Sequence, residues 1–228
     1  PYAYSLVSGK QKLPVVYVSW NDAARFANWV NNGAPTSSST EIGAYDMSLT
    51  SPTRSASATW WLPSLNEWYK AAYYKGGSTS AGYYAFPTSS DTAPAEGNSG
   101  NLNPPGPTAN YNNFVDNGPV VVTAFSNSAS PYGTLNQGGN VNEWNDTLDG
   151  TNPGFRGGSW EGSNAELLES NWGQGTGENQ WLSPTIEGDD LGFRVASTVP
   201  EPSTALLLLL AAGGGWLALR KRAAKNPM

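Results

Sequence analysis

A chain of 228 residues with neither a cysteine nor a histidine lacks the side chains that most often pin irregular backbone in place. Without thiols there is no disulfide framework, no thiolate metal site and no cysteine nucleophile. Without imidazole the usual general base, the commonest metal ligand and the physiological pH switch are gone as well. Whatever this chain folds into is held by apolar burial, by hydrogen bonds, or by metal bound through oxygen. A body of this length can bury roughly 70% of its unfolded surface, and ten tryptophans are far more than a disordered polar chain carries. Charged residues make up 13% of the sequence, against about 25% in soluble domains generally, and Gly, Ser, Thr and Asn take their place. The composition describes a packed domain with long uncharged loops, better suited to a surface or secreted protein than to a cytosolic enzyme. The net charge of −6 is unevenly spread: from Pro200 onward Arg220, Lys221, Arg222 and Lys225 face only Glu201, a net of +3, while the preceding body has eight basic and seventeen acidic residues, a net of −9. An acidic body without a basic patch argues against nucleic acid as a partner and is compatible with cations.

Along the body, KLPVVYVSW (12–20) is rich in Val and Tyr and reads as a strand. A helix follows, capped by Ser19 or Asn21, with Ala24, Ala27 and Val30 on one face and Gly33 as its stop. Residues 34–59 read as irregular. WWLPSLNEWYKAAYYKGG (60–77) holds the clearest helix: Ser64 and Glu67 form a capping box, Trp68, Ala71 and Ala72 recur at helical spacing, and Gly76–Gly77 ends it. Residues 78–117 are a long Gly/Pro/Asn/Ser stretch of the kind that is functional or ordered by a ligand. GPVVVTAF (118–125), GFRGGSW (154–160) and LGFRVAS (191–197) are further strand candidates. There is no internal repeat, and neither glycine-rich stretch fits a phosphate-binding fingerprint. So little regular structure, with no disulfides, makes bound metal the natural expectation for holding the loops.

The C-terminus has three parts. Pro200–Glu201–Pro202 is a stiff spacer, residues 205–219 are fifteen consecutive apolar residues, and Arg220–Lys221–Arg222 ends the run. As a helix the apolar run spans about 22 Å at 1.5 Å per residue, marginal for a bilayer core of roughly 30 Å unless flanking residues and snorkelling arginines help. A buried core helix is the plainer reading, but core helices are seldom apolar on every face and closed by three charges. The order of these parts resembles the PEP-CTERM sorting signal. The resemblance implies an exported protein of the bacterial cell envelope, held at the inner membrane with its basic end cytoplasmic until an exosortase processes it, and then found at the surface or in the extracellular matrix. No signal peptide is visible at Pro1, so a longer N-terminus is expected.

WWLPSLNEWYKAAYY, GNVNEW, FRGGSW and LGFRVA occur in that order over residues 13–197. They resemble the formylglycine-generating-enzyme (sulfatase-modifying-factor) family, whose fold is a variant of the C-type-lectin-like fold. The implied architecture is α+β with low regular secondary structure, a domain over 1–197 lacking the family's N-terminal segment, a linker at 198–204, a C-terminal apolar helix and basic stop at 205–222, and a tail at 223–228. From spacing alone, NQGGNVNEW (136–144) is a Gly-Gly turn leading into a strand, with Trp144 in the core and Glu143 exposed. The resemblance assigns the same loop a structural calcium ion, held by the Asn136 side chain, the Gly139 and Val141 carbonyls and the Glu143 carboxylate. Hard oxygens suit that ion, and glycines let carbonyls turn inward. A second calcium site would draw on Asn110, Tyr111, Asp116 and Gly118, from a shorter loop than the family's. Asp189 and Asp190 read as a solvated turn, and Arg194 as a structural ion-pair or hydrogen-bond partner.

Oxidase members of the family place two copper-binding cysteines after Arg-Gly-Gly-Ser. Here the corresponding positions are Gly162 and Leu167, so no copper is expected, and the histidine ligands of related iron enzymes are missing too. Glu161 with Glu166 or Glu169 offers the paired carboxylates of a glycosidase, a common pattern on loops. No lysine lies between Lys75 and Lys221 to serve a Ser-Lys nucleophile. Ser159, Trp160, Trp172 and Trp181 fall where the family forms its substrate groove and could stack on sugars or peptides, although Trp160 and Trp172 are as readily core. The expectation is an exported, calcium-stabilised, non-catalytic lectin-like domain that binds an extracellular polysaccharide or protein. The alternative is a formylglycine-generating-type oxidoreductase acting on sulfatases or a related protein.

Overall fold

The computed structural model describes residues 8–36, 39–97, 100–112, 118–162 and 180–198. Asp116, Leu167, Trp172, Glu166, Glu169 and the whole sorting signal, including the apolar run at 205–219, lie outside them. Among the described residues no helix is long and apolar enough to cross a membrane.

Both expected helices form. Helix α1 (Trp20–Asn31) starts at Ser19, whose hydroxyl accepts the Asp22 amide while the Asp22 carboxylate accepts the Ser19 amide. Reciprocal capping decides between the two candidate caps. Trp20, Ala23, Ala24 and Ala27 turn inward against Ala44, Tyr45, Leu62, Trp144 and Leu191. The two-residue strand β1 (Trp60–Trp61) leads into α2 (Leu65–Tyr73), where Ser64 and Glu67 form the expected box. This helix stops three residues before Gly76. The extended Tyr74 bridges to Tyr83, and the Lys75 amide donates to the Gly82 carbonyl. Pairing with a later segment therefore outweighs local helix propensity.

Two expected strands are absent. Residues 12–19 contain no strand. Pro14 has no N–H to give, Tyr17 sits at φ 55°, and the Tyr17 amide donates to Gly188 while the Lys12 carbonyl accepts from Val122. Residues 118–125 are likewise not a strand but a turn ending in left-handed Phe125, followed by a short 3-10 helix, Ser126–Ser128. The long stretch 78–112 contributes β2 (Ala95–Glu96) and β3 (Thr108–Ala109), a parallel pair.

The central sheet is built on β4 (Asn142–Asp149), the longest strand. It pairs antiparallel with β5 (Asn152–Arg156) and parallel with β6 (Leu191–Phe193), in the order β5-β4-β6. Glu143 faces Arg156 on one side and Gly192 on the other. Strand β5 ends where Gly157 and Gly158 turn to φ 109° and 68°. The candidate run 191–197 is two strands, β6 and β7 (Ala196–Ser197), interrupted at Arg194. Trp144 is fully buried, its indole N–H donating to the Val18 carbonyl, and Trp20 donates to the Asn145 carbonyl.

Candidate functional site

The segment entering β4 is a coil of left-handed residues. Asn136, Gly139 and Asn140 have φ of 53°, 73° and 70°, which turns peptide groups and amide side chains inward. At Gly139 a Cβ would lie 2.3 Å from the Asn110 carbonyl oxygen, so only glycine fits. Asn140 gathers three distant segments. Its Oδ1 accepts from the Val120 amide at 2.7 Å and from Asn110 Nδ2 at 3.3 Å, and its Nδ2 donates to the Val120 carbonyl at 3.2 Å. Its own amide donates to the Asn110 carbonyl, and its carbonyl accepts from the Trp160 amide. The amide side chain thus pairs with Val120 as a neighbouring strand would.

Beside this coil is a cavity of about 440 Å³ with apolar walls that include Leu13, Val122 and Phe193 and a polar side formed by Asn136, Glu143 and Arg194. Asn136, Val141 and Glu143, three of the four residues expected to hold calcium, line it together. Gly139 is packed against Asn110 instead. Glu143 is 5% exposed, not solvated. Its Oε1 accepts from Arg194 Nη2 at 2.5 Å, and its Oε2 accepts from Arg194 Nε at 2.5 Å and from Trp68 Nε1 at 2.6 Å. Arg194 is thus the ion-pair partner expected of it. The Asn136 amide nitrogen donates to the Val122 and Ala124 carbonyls. As placed, this set suits a divalent ion poorly, because its one carboxylate is already neutralised by a guanidinium on both oxygens.

Of the second expected set, Asn110 Nδ2 donates to the Gly118 carbonyl at 3.2 Å. The Tyr111 hydroxyl instead donates to Pro94 at 2.7 Å.

A third region holds Gly162, the one described position of the two expected to replace the family's cysteines. Gly162 is buried, and its carbonyl accepts from the Asn112 amide. Ser159, buried, donates to Asp190 Oδ2 at 2.8 Å, as does Asn142 Nδ2 at 2.9 Å. Asp189 and Asp190 do form a turn, but a half-buried one, with the Asp190 carboxylate partnered rather than solvated. Trp160 is half-buried, its indole N–H donating to the Asp189 carbonyl at 3.4 Å. Trp181, also half-buried, bridges to Gly154. Carboxylate oxygens of Glu161, Asp189 and Asp190 lie within 4.8 Å of one another. Burial, then Asp190 and Asp189, raise the Glu161 carboxyl above its ordinary value. Trp160 and Trp181 are thus held to the domain with only part of each ring available to a ligand.

Two connections were not expected from the sequence. One is the Asn140 hub. The other is Asp146, which Arg54 Nε approaches at 3.3 Å and to which the Tyr45 hydroxyl donates at 3.1 Å. Only the density of asparagines in GNVNEWN hints at the first.

Two capped helices, a small sheet centred on a tryptophan-bearing strand, and long loops tied back to it form an α+β domain, of the C-type-lectin-like class to which its structural neighbours belong. Residues 4–199 match the sulfatase-modifying factor enzyme 1-like domain, and the chain belongs to that formylglycine-generating-enzyme family. Residues 198–222 match the PEP-CTERM protein-sorting motif, which marks an exported protein of the bacterial envelope and exosortase processing. Among solved structures the chain resembles Treponema denticola variable protein 1, with 22% identity, a TM-score of 0.54, and 85% of this chain and 75% of that one covered. It also resembles CarF, with 20% identity, a TM-score of 0.51, and 84% and 70% covered. At such identities the likeness establishes the fold alone. No curated protein sequence matches the chain.

Proposed function

We propose that this chain is an exported, non-catalytic binding domain that meets an extracellular polysaccharide or protein ligand at the cell surface. The observation that carries the reading is chemical: the chain has no cysteine and no histidine, so Gly162 and Leu167, the positions that the family resemblance assigns to the oxidases' copper-binding cysteines, offer no copper ligand. An oxidase scaffold without thiolate or imidazole cannot bind copper(I) tightly or transfer electrons through it. Among the described residues, Trp160, two positions before Gly162, and Trp181 are half-buried aromatic surfaces suited to stacking on a sugar or peptide. The tail carries the export logic, with residues 205–219 as a transient membrane helix and Arg220–Lys221–Arg222 as its cytoplasmic stop.

The test is to offer the protein copper(I) and a sulfatase-motif peptide. The expected result is neither tight copper binding nor peptide oxidation; turnover would overturn the reading in favour of an oxidoreductase. Glycan and peptide arrays then identify the ligand, and Trp160→Ala is expected to weaken the captured interaction about tenfold.

A further inference from the structure

We propose that the Arg194 guanidinium does at the 136–143 loop what the family resemblance assigns to calcium, so that this loop closes around a cation supplied by the chain itself. A structural calcium ion neutralises a carboxylate and gathers oxygens from segments that would otherwise separate. Arg194 meets both requirements. Its Nε and Nη2 grip the two oxygens of Glu143 at 2.5 Å each, in the fork geometry that fits a carboxylate. Its Nη2 also donates to the Leu135 carbonyl at 3.3 Å, so one cation ties the residue preceding the loop to the residue that ends it. Trp68 Nε1 adds a third donor from α2.

The sheet delivers the guanidinium to this place. Glu143 lies opposite Gly192 in the parallel β4–β6 ladder, and Arg194 is the second residue beyond Gly192, on the same strand end. Whenever that ladder forms, the cation arrives with it. The coil that would surround a metal is already packed by the chain itself. Asn140 Oδ1 is taken by Val120 and Asn110, and Gly139 is pressed against the Asn110 backbone. A calcium ion, which takes six to eight oxygens, would share its one carboxylate with a like charge.

Thermal melting of the full chain in a mild detergent tests this. The expected wild-type melt is the same in excess EDTA and in added calcium chloride. Arg194→Met is expected to lower the midpoint by roughly 10 °C, because it leaves an uncompensated buried carboxylate. The double variant Arg194→Met/Glu143→Met is expected to regain part of that loss. A wild-type midpoint that falls in EDTA and returns with calcium overturns the proposal, as does an Arg194→Met midpoint equal to wild type. Should Arg194→Met fail to fold, calorimetric titration of the wild type with calcium decides: no saturable heat supports the proposal, and saturable heat lost in Glu143→Gln overturns it. None of these measurements involves ligand or turnover, so the outcome is independent of the binding-domain reading.

Discussion

Replacing Asn140 by alanine removes a side chain that is 2% exposed and that holds Val120, itself 2% exposed, by both its N–H and its C=O. Asn110 Nδ2 loses one acceptor but keeps the Gly118 carbonyl. Two buried backbone groups are thus left without partners among the described residues. At about 1–3 kcal/mol for each orphaned group, the loss is about 2–6 kcal/mol. Alanine at φ 70° adds about 1–2 kcal/mol, because left-handed backbone disfavours a Cβ. Water reaching Val120 would recover some of this, so about 4 kcal/mol is a fair central figure against a typical total of about 5–15 kcal/mol. For a domain of this size each kcal/mol moves the melting midpoint by roughly 2–4 °C, so the expected fall is roughly 8–16 °C by differential scanning fluorimetry or calorimetry. Asn140→Gly separates the causes: glycine accepts the backbone angle freely but supplies no amide, so it should recover only about 1 kcal/mol. An Asn140→Ala midpoint within about 2 °C of wild type, or near-complete rescue by glycine, would refute the view that the amide is the pin.

Two further outcomes follow from other sites. Gly139→Ala sets a Cβ 2.3 Å from the Asn110 carbonyl at φ 73°, whereas at Gly133, φ 78°, nothing lies within 4 Å. Gly133→Ala should therefore cost only about 1–2 kcal/mol of backbone strain, and Gly139→Ala distinctly more, as measured by urea unfolding. Burial pushes the Asp146 carboxyl up to about 6, outweighing Arg54, whose charge is shared with Glu67. A carboxyl whose folded value is raised stabilises the fold when protonated, and that contribution is lost as pH rises through the folded value. Relative to Asp146→Asn, the wild type should therefore gain stability as pH is lowered from neutral towards 4, by up to about 3 kcal/mol. A difference between the two that does not change with pH would count against this.

What could be read from the sequence was what is local. The Ser64–Glu67 box fixes the start of α2 within four residues of chain, and the structure keeps it. Asn136, Val141 and Glu143 also reach one cavity, because a short coil cannot carry them far apart. The failures are non-local. The valines at 120–122 look like a strand, but the partner of Val120 is an asparagine side chain twenty residues away, and such pairing leaves no periodicity to read. Arg194 could be assigned as an ion-pair partner, but the identity of its carboxylate waits on the β4–β6 register. Asp190 reads as solvated because nothing adjacent in sequence announces Ser159 and Asn142 as donors.

Three fully or nearly fully buried asparagines, Asn28, Asn110 and Asn140, tie loop backbone in place, and Asn28 alone makes three hydrogen bonds to the Thr40 and Tyr45 backbone. Carboxamides neither ionise at any acidity a bacterium meets nor respond to reductant or chelator. Fastenings of that kind ask nothing of their surroundings. A polypeptide that has to cross from one compartment to another can tighten them as well in a metal-starved, reducing fluid as in an oxidising one, with no helper to install a bond and no ion to wait for.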